Sequence, residues 1–172
     1  MDLIFEIFKI FIFAAIPITI SVPIITALIC FVSGIVLREE IDSSLEKDVK
    51  EARYALEYLG YKIGKLKVGY GELESKTAVA MVELKPFRAG IVTMRPETKY
   101  LDPYDRISIL CHEMAHIAVH DYVHGRKWLN LMNEIGEKCR IYEYMYIERN
   151  GRLVRLPEKV DYNKVYGLYE KR

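Results

Sequence analysis

Two histidines four residues apart, His112 and His116, stand in the run Cys111-His112-Glu113-Met114-Ala115-His116, with a glutamate beside the first. On a helix this spacing sets both imidazoles on one face about one turn apart, within reach of a single metal ion. Glu113 shares roughly that face, from which it can take a proton from a metal-bound water. The chemistry implied is metal-assisted hydrolysis with a glutamate as general base.

A catalytic zinc takes three protein ligands and keeps a fourth position for water. His120 continues the four-residue spacing, but it lies roughly 12 Å of helix rise beyond His112. Zinc–nitrogen bonds of about 2 Å cannot join both on a straight helix. His124 is better placed, because a break before Gly125 turns the chain back. A downstream glutamate, Glu134 or Glu137, is the other candidate. The longer metzincin pattern fails, since its glycine falls at Val119 and its third histidine at Tyr122.

The run HEMAH, followed by His124-Gly125 and then Trp128-Leu129 and Leu131-Met132, resembles the SprT-like (Spartan-like) zinc metallopeptidases. That family pairs an HExxH helix with a nearby HGxxF/W segment. The resemblance covers about Ile107 to Gly136 and extends less specifically back to Ser43. It implies that His112, His116 and His124 hold one zinc ion per chain and that Glu113 is the catalytic base. It also implies a zincin-like α+β domain and protein or peptide substrates; in soluble relatives these are proteins crosslinked to DNA. Many members add a C-terminal zinc ribbon, which is not expected here because only Cys139 lies beyond the motif.

The elements that must position these residues follow from local pattern. Asp102 before Pro103 predicts an N-cap with proline at the first helical position, and Asp105 suits the positive helix end. Ile107, Leu110, Cys111, Met114 and Ala118 form an apolar stripe that leaves His112, Glu113 and His116 on a neighbouring face. Upstream, Ser43 or Ser44 caps a helix running to about Leu59, with Leu45, Val49, Ala52, Leu56 and Leu59 along one side and Gly60 closing it. Strands are expected at Leu66 to Tyr70, Ala78 to Leu84 and Ile91 to Met94, punctuated by Gly71, Pro86, Gly90 and Pro96. They read as a small antiparallel sheet beside the HExxH helix. The run Gly90 to Met94 is the candidate edge for pairing with an extended substrate. Arg126 to Ile135 is expected to be helical, with Gly136 as terminator and Trp128 packing to fix the turn that presents His124. Arg140 to Arg149 and Arg152 to Leu156 flank Asn150-Gly151 as a hairpin, whose Tyr142, Tyr144 and Tyr146 are read as packing residues.

The 172 residues are 51% hydrophobic and 28% charged, and the apolar excess is concentrated at the start. From Ile10 to Leu37 no charge occurs, which is long enough for one helical span of a bilayer core about 30 Å thick. Pro17 and Pro23 are tolerated in such helices, and the run is too long for the apolar region of a signal peptide. Domains are therefore expected at 1–42, a membrane anchor with its span at about 10–37, and 43–172, the metallopeptidase domain. Arg38, Lys47, Lys50 and Arg53 follow the span, which places the catalytic domain in the cytoplasm. Residues 43–172 carry 23 basic and 19 acidic side chains, too mild a balance to argue for nucleic acid, although Arg149, Arg152, Arg155 and Lys159 gather on the hairpin. Cysteines at 30, 111 and 139 suggest reduced thiols rather than a disulfide framework.

Together these features predict a single-pass membrane protein carrying a zinc-dependent endopeptidase. Two rivals are a non-catalytic, zinc-stabilised membrane adaptor that binds peptide segments and a DNA-associated protease; Glu113 favours the enzyme, since an adaptor has no use for a base.

Overall fold

The computed structural model describes residues 38–75 and 77–165, and the apolar stretch from Ile10 to Leu37 lies outside them. Among the described residues no helix is long and apolar enough to cross a membrane.

Helical spacing of apolar side chains produces α1 (Glu46–Tyr58). Leu45, Val49, Ala52 and Leu56 along that spacing are buried, and Leu59 is partly so. The start departs from expectation. Leu45 occupies the cap position with no side-chain bond, while the Ser44 hydroxyl donates to Asp42 Oδ1 at 2.6 Å. A nearby carboxylate gives serine a local partner that competes with capping.

The strands are β1 (Glu40–Ile41), β2 (Leu66–Tyr70), β3 (Ala80–Lys85) and β4 (Ala89–Met94). They join in one sheet in the order β1-β2-β4-β3. Both β1 and β4 run parallel to β2, and β3 runs antiparallel to β4. The expected antiparallel pairing thus holds in the β3–β4 hairpin, within a sheet that is mixed overall. The reason is the crossover through α1, which returns the chain parallel to β1. This order corrects the edge assignment as well. The run Gly90 to Met94 pairs with β2 on one side and β3 on the other, so it is interior, and the edge on that side is β3. Gly90 is a contact point within the strand: a Cβ there would stand 2.5 Å from Ile117 Cδ1, so its absence lets the next helix approach the sheet.

A 3-10 turn (Pro96–Tyr100) leads to α2 (Pro103–Val119). Asp102 caps it, accepting the Tyr104 amide at 3.0 Å, a contribution of about 1 kcal/mol. Leu110, Cys111, Met114 and Ala118 are buried, with Ile107 partly so, where α2 packs against α1, β3 and β4. Arg106 Nε donates to Asp48 Oδ2 at 2.6 Å and joins α2 to α1. Breaking such a sheltered pair by removing one partner costs about 3–5 kcal/mol.

After α2 come α3 (Arg126–Glu134) and a π-helical turn (Ile135–Cys139). Trp128, Leu131, Met132 and Ile135 are buried. Gly136 does not end the helix as expected. It lies inside the π turn, which stops at Arg140 with φ of 61°. Its role is steric, since a Cβ there would meet the Tyr142 ring at 3.2 Å. The hairpin β5 (Tyr144–Arg149) and β6 (Arg152–Lys159) turns at Asn150-Gly151. Both turn residues have positive φ, as a type I′ turn requires. Lys159 Nζ covers the Tyr142 ring at 3.3 Å and Arg155 the Tyr144 ring at 4.6 Å. A short α4 (Tyr162–Val165) completes the described chain.

Candidate metal centre

The turn after α2 makes the site. His120 takes the left-handed conformation with φ of 56°, and the Asp121 amide reaches back to the His116 carbonyl at 3.1 Å. The chain therefore reverses at His120 rather than just before Gly125, and His124 swings over the helix face that carries His112 and His116. The ligand atoms of these three histidines lie within 4.8 Å of one another. His124 Nε2 stands 3.1 Å from His112 Nε2 and 3.2 Å from His116 Nε2.

The outer nitrogens settle which atoms face inward. His112 Nδ1 donates to Glu143 Oε2 at 2.8 Å, and His116 Nδ1 donates to the Asp121 carbonyl at 2.7 Å. A carboxylate and a carbonyl only accept, so both rings carry the proton on Nδ1 and turn an Nε2 lone pair inward. Lone pairs at this separation repel unless a cation lies among them. A tetrahedral ion with metal–nitrogen bonds of about 2.0–2.1 Å sets its ligand nitrogens about 3.3–3.4 Å apart, so this donor set fits zinc.

Trp128 forms the floor. It is fully buried, with ring centroids 4.3 Å from His124, 4.7 Å from His112 and 5.3 Å from His116. Its indole Nε1 donates to the His112 carbonyl at 3.4 Å, tying α3 to α2. The surroundings also shift the protonation equilibria of these groups. Burial, with the neighbouring His112, lowers His116 and His124 to about 4. Burial alone would lower His112 too, but the adjacent Glu143 carboxylate more than reverses this and raises it. Glu113 is 8% exposed, and burial pushes its carboxyl above the ordinary value against the opposing pull of His112.

The other sequence candidates stand apart. His120 is exposed, Glu134 pairs with Lys138 at 3.1 Å, and Glu137 is exposed on the π turn. Two of the four hairpin cations proposed for nucleic acid are engaged within the chain: Arg155 donates to Asp105 Oδ1 at 2.9 Å, and Lys159 lies over Tyr142. Sequence reasoning missed Glu143 altogether, because nothing in the spacing of Tyr142-Glu143-Tyr144 connects it to a helix residue so far upstream.

Among the described residues β3 is the outer strand beside the loop that carries His124. The Tyr122 hydroxyl, from the loop between His116 and His124, accepts the Leu84 amide of β3 at 2.9 Å. Alternation along an antiparallel pair turns the main chain of Ala80 and Val82 to the same outer side as Leu84.

The SprT-like family model matches residues 57–149, just over half of the chain. The chain belongs to the SprT-like family. The SprT-like match runs from the end of α1 through β5 and includes His112, Glu113, His116, His124 and Glu143. Among solved structures, the chain is similar to the metallopeptidase zymogen of Pyrococcus abyssi abylysin, at 22% identity and a TM-score of 0.37, over 54% of this chain and 95% of that one. Comparison with curated proteins gives no match. A SprT-like domain with three converging histidines suggests a metal-dependent, peptidase-like function.

Proposed function

We propose that this SprT-like protein is a zinc-dependent endopeptidase, tethered to a membrane by the segment from Ile10 to Leu37, with its catalytic domain in the cytoplasm. The observation that carries the enzymatic reading is the convergence of the His112, His116 and His124 Nε2 atoms next to a buried glutamate. These three histidines would hold the ion and Glu113 would act as general base. When bound, zinc supplies Lewis acidity, polarising a scissile carbonyl and lowering the pKa of water from about 15.7 towards 7.

Glu113 does the proton work. Its carboxylate, raised by burial, takes a proton from water through one oxygen and delivers it to the departing amine nitrogen. No nucleophilic side chain is needed. Trp128 and the Asp121 carbonyl keep the histidine rings in place, and β3 offers the outward main chain of Ala80 and Val82 to an extended peptide. The tether directs the site towards membrane-associated or misfolded proteins.

The test compares wild type with Glu113→Gln for bound zinc and for cleavage of casein or a membrane-protein substrate. Glutamine keeps the shape but cannot accept the proton, so zinc should stay while activity falls about 10²–10⁴-fold. Equal cleavage by the two proteins, with contaminating protease excluded, would refute the assignment of Glu113, and no cleavage by either would favour a peptide-binding adaptor.

A further inference from the structure

The three histidines of the metal centre come from α2 and the loop after it, over a floor supplied by α3. One strong contact reaches them from elsewhere. Glu143 Oε2 accepts from His112 Nδ1 at 2.8 Å, with the two side chains only 15% and 13% exposed. We propose that Glu143 is a positioning residue of the metal centre, holding the His112 ring and its Nδ1–H tautomer so that Nε2 faces the ion. The proposal rests on the zinc-site reading and extends that site to the loop that leads into the C-terminal hairpin.

The chemistry requires such a group. A ligating imidazole that donates its far N–H to an acceptor is fixed in rotation, and a charged acceptor also strengthens electron donation from the metal-facing nitrogen. His116 obtains this from the Asp121 main chain, which a side-chain substitution does not remove. His112 depends on a side chain.

Glu143 is held in place from several directions. The Val160 amide donates to the Glu143 carbonyl at 2.9 Å. One residue earlier, the Tyr142 amide donates to the Tyr104 hydroxyl at 2.8 Å. That hydroxyl in turn donates to the Arg140 carbonyl at 2.8 Å, so both of its hydrogen-bonding roles are spent on this one loop. Tyr104 lies in the first turn of α2, the helix that carries His112. The helix thus grips the loop that returns a carboxylate to its own histidine. A surface ion pair formed by chance lacks this scaffolding.

The test measures zinc affinity of the full-length protein in detergent by competition with a chromophoric chelator, alongside thermal unfolding of the zinc-free forms. Glu143→Ala should bind zinc about 10–100-fold more weakly than wild type while the zinc-free protein still unfolds cooperatively. Glu143→Gln keeps an acceptor for the Nδ1 proton and should recover most of that loss. The absorption bands of the cobalt-substituted protein should shift in the alanine variant and return towards wild type in the glutamine variant. Wild-type affinity in a folded Glu143→Ala protein would overturn the proposal, as would a glutamine variant no tighter than alanine. A wild-type protein that binds no zinc would instead bring down the metal-centre reading on which the proposal stands.

Discussion

Removing one of three mutually facing histidines tests whether they act as a set. His124→Ala should take away most of the bound metal, since two remaining nitrogens hold an ion far more weakly than three. His120→Ala should leave it in place, because that side chain is exposed at the turn. Zinc content after gel filtration decides between them, and the reverse outcome would mean that the loop is threaded differently. At this scale the sequence is informative where helical periodicity applies. His112, Glu113 and His116 follow one rule of spacing on a capped helix. His124 follows from an expected break before Gly125 and from the family resemblance, but the true place of the reversal, at left-handed His120, has no local signal strong enough to locate it. Glu143 is beyond reach: its bond to His112 spans 31 positions, and no local pattern encodes a contact across a reversing loop, α3 and the π turn.

Among the elements, the π turn shows how one missing side chain sets the path of the chain downstream. Gly136→Val would place a branched side chain where the Tyr142 ring now lies. Overpacking of this kind costs about 1–3 kcal/mol, so the melting temperature should drop by several degrees, and zinc affinity should fall with it as Tyr142-Glu143 shifts. A variant with unchanged melting and metal binding would show that the ring can move aside freely. In the sequence the same glycine reads as a helix terminator, a sound expectation for an isolated glycine after an apolar run; the aromatic partner that keeps it inside the helix arrives six residues later. Strand β2 has the residues expected for it, because its alternation is local. The place of β4 is not legible, since strand order depends on a two-residue β1 whose pairing is decided by the crossover helix. An apolar pattern reports that a strand is covered, not which neighbours cover it.

For the whole molecule, the proposed tether would decide what the site can meet. The full chain should remain in the membrane pellet after alkaline carbonate washing, since a single span of the length from Ile10 to Leu37 resists extraction. A new cysteine at exposed Arg152, in a Cys139→Ser background, should react with an impermeant maleimide only after the cells are opened. Labelling of intact cells would put the domain on the other side. Among the described residues β3 is a sheet edge, which matters beyond the binding of substrate. A strand that offers outward amides to a substrate offers them equally to a second copy, and the proposed tether would raise the rate at which copies meet. The chain guards against this: Glu83 and Lys85 form an ion pair on that strand, and the Tyr122 hydroxyl occupies the Leu84 amide. Charge on an edge strand and a capped amide both discourage strand-to-strand growth. Protection against self-pairing is therefore built into the same strand that the proposed catalysis keeps open.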